Sequence, residues 1–197
     1  VKVDVKTLEG NPMTADAATE PLGTALRIAP AFVASSPDEE TGVLTEIRAE
    51  YRHNEGEYVI TSITTSALRP DVTVKTLRQH TATSPIVAAA VPHCLAMQLD
   101  DDPGTPWRTV SDLTSADGRL IPRWLAREVV KRGARDARMD VVEIIYGAAA
   151  LAGQPPVRAV ERELEVPYRT AQDWITKARA AGRLEGMHYA VGRQADG

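Results

Sequence analysis

The chain has 197 residues, 43% of them hydrophobic and 25% charged, with a formal net charge of −4. This is ordinary globular composition, enough for one large domain or two small ones, and it excludes wholesale disorder. The longest apolar runs, Ile86–Val91 and Ile144–Ala152, fall far short of the ~18 residues of a membrane span, and a lone cysteine, Cys94, excludes an intramolecular disulfide and a Cys-rich zinc site.

Val1–Lys6 alternates apolar and polar residues, which suits a short strand and not a secretory signal. Around it, residues 1–25 are polar and aperiodic and read as a loose tail. Leu26–Val33 is apolar enough for a strand, but Pro30 restricts it to an edge or a bulge. Val43, Thr45, Ile47, Ala49 and Tyr51 then alternate with polar or bulky neighbours, His53–Gly56 forms a turn, and Tyr58–Thr65 alternates again. Two such runs about a short Gly-containing loop predict a β-hairpin. The second run is apolar on both faces and is expected at the centre of a small sheet.

After Pro70 the signals turn helical. Thr73 caps a short helix carrying Leu77, and Ser84-Pro85 opens a helix over Ile86–Met97 that Pro92 kinks or ends early. Residues 26–104 thus read as a small α+β domain, and 105–118 as an irregular linker. From Leu120 onward the pattern is all helix. Ile121, Leu125 and Val129 line one side, while Arg119, Arg123, Arg127, Lys131 and Arg135 recur every four residues on another, so 119–138 is predicted as one basic helix. Val142, Ile145, Tyr146 and Ala149 mark a helix capped by Gly153. Pro155-Pro156 starts another with Val157, Val160 and Leu164 inward. After a break at Glu165–Pro167, the last helix carries Ala171, Trp174, Ile175 and Ala178 on one face and ends at Gly182. Residues 186–197 read as a tail.

Charge divides the chain unequally. Residues 1–118 carry a net of −8 and residues 119–197 a net of +4, so only the second half is expected to meet a polyanion. The segment from Val157 to Leu184 is a short helix, a three-residue turn with Val166 as an apolar plug, and a longer helix. Its residues Ala159-Val160, Val166, Thr170-Ala171, Trp174-Ile175, Ala178-Arg179, Gly182 and Leu184 resemble those of small bacterial helix-turn-helix regulators common in actinobacteria and their phages. The run Val166–Ala171, leading to Ala178-Arg179, is also similar to the promoter-reading helix of sigma factors. The resemblance covers Met139–Leu184 and does not reach the N-terminal half. Two positions depart from it: Glu161 stands where the family prefers a small residue, and Glu165 where it prefers glycine.

The resemblance implies a domain over 139–185 that reads double-stranded DNA. It places Tyr168, Arg169, Gln172, Asp173 and Thr176 toward the bases. Arg169 suits guanine, Gln172 adenine, and Asp173 either cytosine or the orientation of Arg169 or Lys177. Thr170, Lys177 and Arg179 are then placed for phosphates. Residues 139–185 hold six basic and seven acidic side chains, so the reading module is not itself basic. Arg123, Arg127 and Lys131 are expected to supply the missing electrostatic grip.

Other chemistry is not signalled. His53, His80, His93 and His188 share no ligand spacing, and Asp100–Asp102 lack that of a calcium loop. No phosphate-binding glycine loop or nucleophile motif is present, so neither an enzyme nor a cofactor is expected. The fold class is α+β: a small N-terminal α+β domain with a hairpin, then an all-α helix-turn-helix domain. The function expected is a cytoplasmic, nucleoid-associated transcription regulator, a repressor acting by operator occupancy as a homodimer. The alternative is a DNA-organising or adaptor protein of a plasmid or phage, whose acidic half recruits a protein partner.

Overall fold

A computed structural model describes residues 2–79, 82–98, 104–115, 118–132 and 135–189, with Arg132 and 135–137 described by their backbone alone. His80, Asp100–Asp102 and residues 190–197 therefore lie outside the described residues. The fold is mixed α+β with two antiparallel sheets. The first sheet has the order β1 (Asp4–Lys6), β4 (Ala31–Asp38), β5 (Val43–Arg52), β6 (Glu57–Ala67). The second has the order β2 (Glu20–Leu22), β3 (Leu26–Ile28), β7 (Leu95–Met97), β8 (Arg108–Thr109).

The hairpin forms where alternation predicts it. Val43, Thr45, Ile47, Ala49 and Tyr51 are all buried, and Tyr51 stands opposite Tyr58. The second strand differs from expectation, because β6 is an edge strand and not a central one. Pro30 breaks Leu26–Val33 in two, and the halves enter different sheets as β3 and β4. The crossing point is fixed by hydrogen bonds from Ala29 N–H to the Cys94 carbonyl (2.9 Å), from Tyr51 N–H to the Pro30 carbonyl (2.8 Å) and from Tyr58 O–H to the Ala29 carbonyl (2.6 Å).

Helices α1 (Val74–Gln79) and α2 (Ser84–Cys94) follow. Thr73 Oγ1 accepts from Thr76 N–H at the start of α1. Pro92 lies in the last turn of α2, and Leu95 leaves in an extended conformation to begin β7, which is buried along its length. Two corrections concern the segments read as tail and linker. Residues 1–25 carry β1 and β2, and 105–118 carry β8 and the short α3 (Val110–Leu113), capped by Thr109 Oγ1 accepting from Asp112 N–H. β1 pairs with β4 at an edge of the first sheet, while β2 and β8 form the two edges of the second.

The helical half comprises α4 (Arg123–Arg132), α5 (Arg135–Leu151), α6 (Pro156–Leu164) and α7 (Tyr168–Ala180). The basic segment is thus two helices and not one, and Arg119 precedes both; the sequence between them contains Gly133, a poor helix former. Gly153, at φ +69°, closes α5.

Residues 105–118 do not separate two cores. Leu22, Leu26, Ile28, Phe32 and Ile47 of the sheets share one buried cluster with Val142, Ile145 and Trp174 of the helices. The halves meet closely at Gly147 of α5, where a Cβ would stand 2.7 Å from Leu26 Cδ1 and 3.0 Å from Met187 Sδ, so a larger residue would have to displace these side chains. A strap after α7, Arg183–Tyr189, ties the halves further. Met187 is 1% exposed, Tyr51 O–H donates to the Gly186 carbonyl, and His188 N–H donates to the Gly56 carbonyl (3.2 Å). Residues 186–189 therefore pack instead of fraying. Among the described residues no helix is long and apolar enough to cross a membrane.

Candidate nucleic-acid interface

Helices α5, α6 and α7 pack against one another in all three pairs. The α6–α7 pair meets through Ala159, Val160, Leu164, Ala171, Trp174, Ile175 and Ala178, all buried, with Val166 of the turn between them. Glu165 holds the turn at φ 54°, ψ 41°, the only described non-glycine residue with positive φ. An L-residue pays about 1–2 kcal/mol for that conformation, which is the physical reason a glycine suits the position.

The turn is clamped from outside. Arg119, its side chain only 12% exposed, donates to the carbonyls of Glu163 (2.6 Å) and Arg162 (3.4 Å) and to the Glu165 carboxylate (3.0 Å). It satisfies carbonyls that the end of a helix otherwise leaves unpaired. In return, Glu163, 2% exposed, accepts from Leu120 N–H and Ile121 N–H at 3.1 Å each. Arg119 thus works as a clamp for the turn and the entry to α4, not as part of a solvated basic stripe.

The predicted base-facing residues are brought together on one side of α7. Arg169, Gln172, Asp173 and Thr176 are exposed, and Tyr168 is 42% exposed with the Arg158 guanidinium 5.0 Å from its ring centroid. Arg169 has no ion pair or hydrogen bond among the described residues. Thr176 O–H donates to the Gln172 carbonyl (2.9 Å), which fixes its rotamer. Asp173 accepts from Lys177 at 2.6 Å, so it orients Lys177 and not Arg169. Of the predicted phosphate residues, Thr170 is half-buried, Lys177 is exposed, and Arg179 donates to Tyr146 O–H at 3.1 Å.

Arg123, Arg127 and Lys131 lie on the exposed side of α4, which packs on α5 and α6 through Ala126 and Val129. Sequence reasoning missed Trp124. It is 67% exposed, among the cations of this helix. The signal was available: Ile121, Leu125 and Val129 define the buried side, and position 124 falls outside it. Reasoning also missed where the acidic residues go. Glu143 and Glu163 are buried, and Glu161 pairs with Arg158 at 2.7 Å. The outward surface of the helices is therefore more basic than their residue count.

Arg138 stacks over Trp174, 4.6 Å from the ring centroid, and so caps the core beneath α7. Cys94 is fully buried, which pushes its thiol well up and leaves little thiolate. Burial lowers the pKa of His93. Both are packing residues of α2. Among the described residues, no group of three or more His, Cys, Asp or Glu is placed to hold a metal ion. In comparisons with known proteins, no protein-family model, no curated protein and no solved structure matches the chain.

Proposed function

We propose that α6 and α7 form a helix-turn-helix that reads double-stranded DNA, and that the protein is a transcription regulator, a repressor acting by operator occupancy in the bacterial nucleoid. One observation carries this reading. The first turns of α7 expose Arg169, Gln172, Asp173 and Thr176 together while its opposite face is anchored in a three-helix core. A helix held in this way can enter the major groove with side chains whose donors and acceptors match base edges.

Base selection by a sequencing read-out of bound DNA, followed by mobility-shift titration, tests it. Arg169→Ala and Gln172→Ala are each expected to cost about 1–3 kcal/mol on the preferred site and to relax the choice of base there. Binding by both variants equal to wild type would remove the helix-turn-helix assignment.

Helix α4 supplies the sequence-independent part. Its exposed Arg123, Arg127 and Lys131 face phosphates, and each contact contributes about 0.9 to the slope of log affinity against log salt. Neutralising Arg123, Arg127 and Lys131 together is expected to lower that slope by roughly 2–3 and to weaken all sequences alike. An unchanged slope, with the circular dichroism of wild type, would return these residues to an ordinary solvated face. One reading helix spans few base pairs, so two copies acting on inverted half-sites about one helical turn apart complete the proposal.

A further inference from the structure

The first sheet is not covered to its end. Ile47 on β5 is fully buried, while its ladder partner Ile63 on β6, on the same face, is 47% exposed. The same drop recurs at the next two inward-facing rungs: Thr45 is 6% exposed against a half-buried Thr65, and Val43 is 1% exposed against an exposed Ala67. The inner face that the core covers on β5 thus runs out into solvent on β6. Helix α1 touches β6 without closing the gap, and its own Val74 is 66% exposed.

From Ser62 to Ala67 the open edge carries neither a charge, a proline nor a bulge to deter strand addition. Charged side chains and prolines are the common devices. From Tyr58 to Ala67, ten residues run without a charge or a proline, and most are Thr, Ser, Ile or Val. The ladder slips once, between Arg48 and Ala49, leaving Thr61 without an opposite number, and is regular from Ser62 to Ala67. Among the described residues, no strand borders the outer side of β6.

We infer that β6 is a self-pairing edge, and that its occupant is the β6 of a second copy of this chain, running antiparallel about a twofold axis. The charge pattern selects this partner. Homotypic pairing sets a strand against its own sequence, so any charge near the axis would meet its like; here there is none to meet. A twofold normal to the sheet keeps inner face with inner face, so it lies between the two strands at the level of one residue and pairs that residue with its own copy. Placed at Ile63, it sets Ile63 against Ile63 and brings the two exposed side chains into contact. The two four-stranded sheets then join as one of eight strands. This surface would supply the second reading head that the proposed function requires, but it is measured without DNA, so either reading can fail alone.

The experiment uses the full chain. Wild type is expected to be a dimer by sedimentation at micromolar concentration, and Ile63→Lys to weaken it by about a hundredfold or more through like charges placed face to face. Leu8→Lys, the same change at an exposed position outside β6, is expected to leave the dimer intact. Single cysteines at positions 62 to 66, scanned one at a time, are expected to give a disulfide-linked dimer most readily at Ile63→Cys. The native Cys94 is fully buried and does not compete. Self-crosslinking within this run supports the inference. A monomeric wild type, a dimer indifferent to Ile63→Lys, or a dimer with no crosslink between 62 and 66 overturns it.

Discussion

Truncating Trp174 to alanine is expected to cost about 3–5 kcal/mol, the range for removing a buried large aromatic side chain. The ring is 8% exposed and lies among Ala171, Ile175 and Ala178, with the Arg138 guanidinium stacked on its far side. The cost has two parts: apolar area returned to water, and a cavity that the rigid three-helix packing cannot close. A chain of this size has a total stability of about 5–15 kcal/mol, so the variant loses a large fraction of it. Its melting temperature should fall by about 6–20 °C. Trp174→Phe should fall less, because it keeps most of the area and the face for Arg138. A Trp174→Ala protein that melts with wild type would mean that this face of α7 is not the buried one.

Glu143→Ala is expected to be comparably severe for a different reason. The carboxylate is fully buried and accepts from Thr24 N–H (2.6 Å), Ala25 N–H (2.7 Å) and Thr24 O–H (2.8 Å), with Arg183 3.6 Å away. Arg183 also pairs with Asp140 and donates to Thr24 Oγ1. Removing the acceptor leaves two backbone donors and a partly buried guanidinium short of a partner, at about 3–5 kcal/mol. Glu143→Gln keeps the shape but presents an NH2 group to one of the donors, and should cost less, about 1–3 kcal/mol. Denaturant midpoints rank the pair. Hydrogen exchange localises the loss: the Thr24 and Ala25 amides should be protected in wild type and exchange freely in Glu143→Ala. Protection that survives the substitution would show that the β2–β3 turn is held by other contacts. Gly23 limits the alternatives at this joint, since at φ +64° its Cβ would stand 2.4 Å from Glu143 Oε1.

Legibility in the sequence followed the length and one-sidedness of each element. The β5 strand was readable because one face is buried and the other is not, so Val43 to Tyr51 alternate cleanly. Helices α5 to α7 were readable because their apolar spacing is bracketed by Gly153, Pro156 and Pro167, each with a backbone preference of its own. The β1 and β2 strands have three residues each and carry no period at all. The buried β7 hid inside an apolar run, where helix and strand look alike. The position of β6 depends on what fails to cover it, which no local pattern records. The candidate reading face was legible because it is the complement of a buried one. Arg119 was misread because a four-residue spacing was extended across Pro122, although the proline marks where the helix begins. Glu143 was invisible for a stronger reason: its partners lie 118 and 119 residues away.

That separation has a consequence during synthesis. At about 5–20 residues per second, the ribosome needs about 6–24 s after the Thr24 codon to deliver Glu143. Gly186 and His188, which close the strap against Tyr51 and Gly56, emerge later still. Throughout that interval the β2–β3 turn has no acceptor and Leu26 has no Gly147 to lie against. The nascent chain therefore leaves half of a shared core uncovered, and a translational stall before Arg183 would leave a product recognisable to chaperones and proteases by the apolar surface it cannot yet cover.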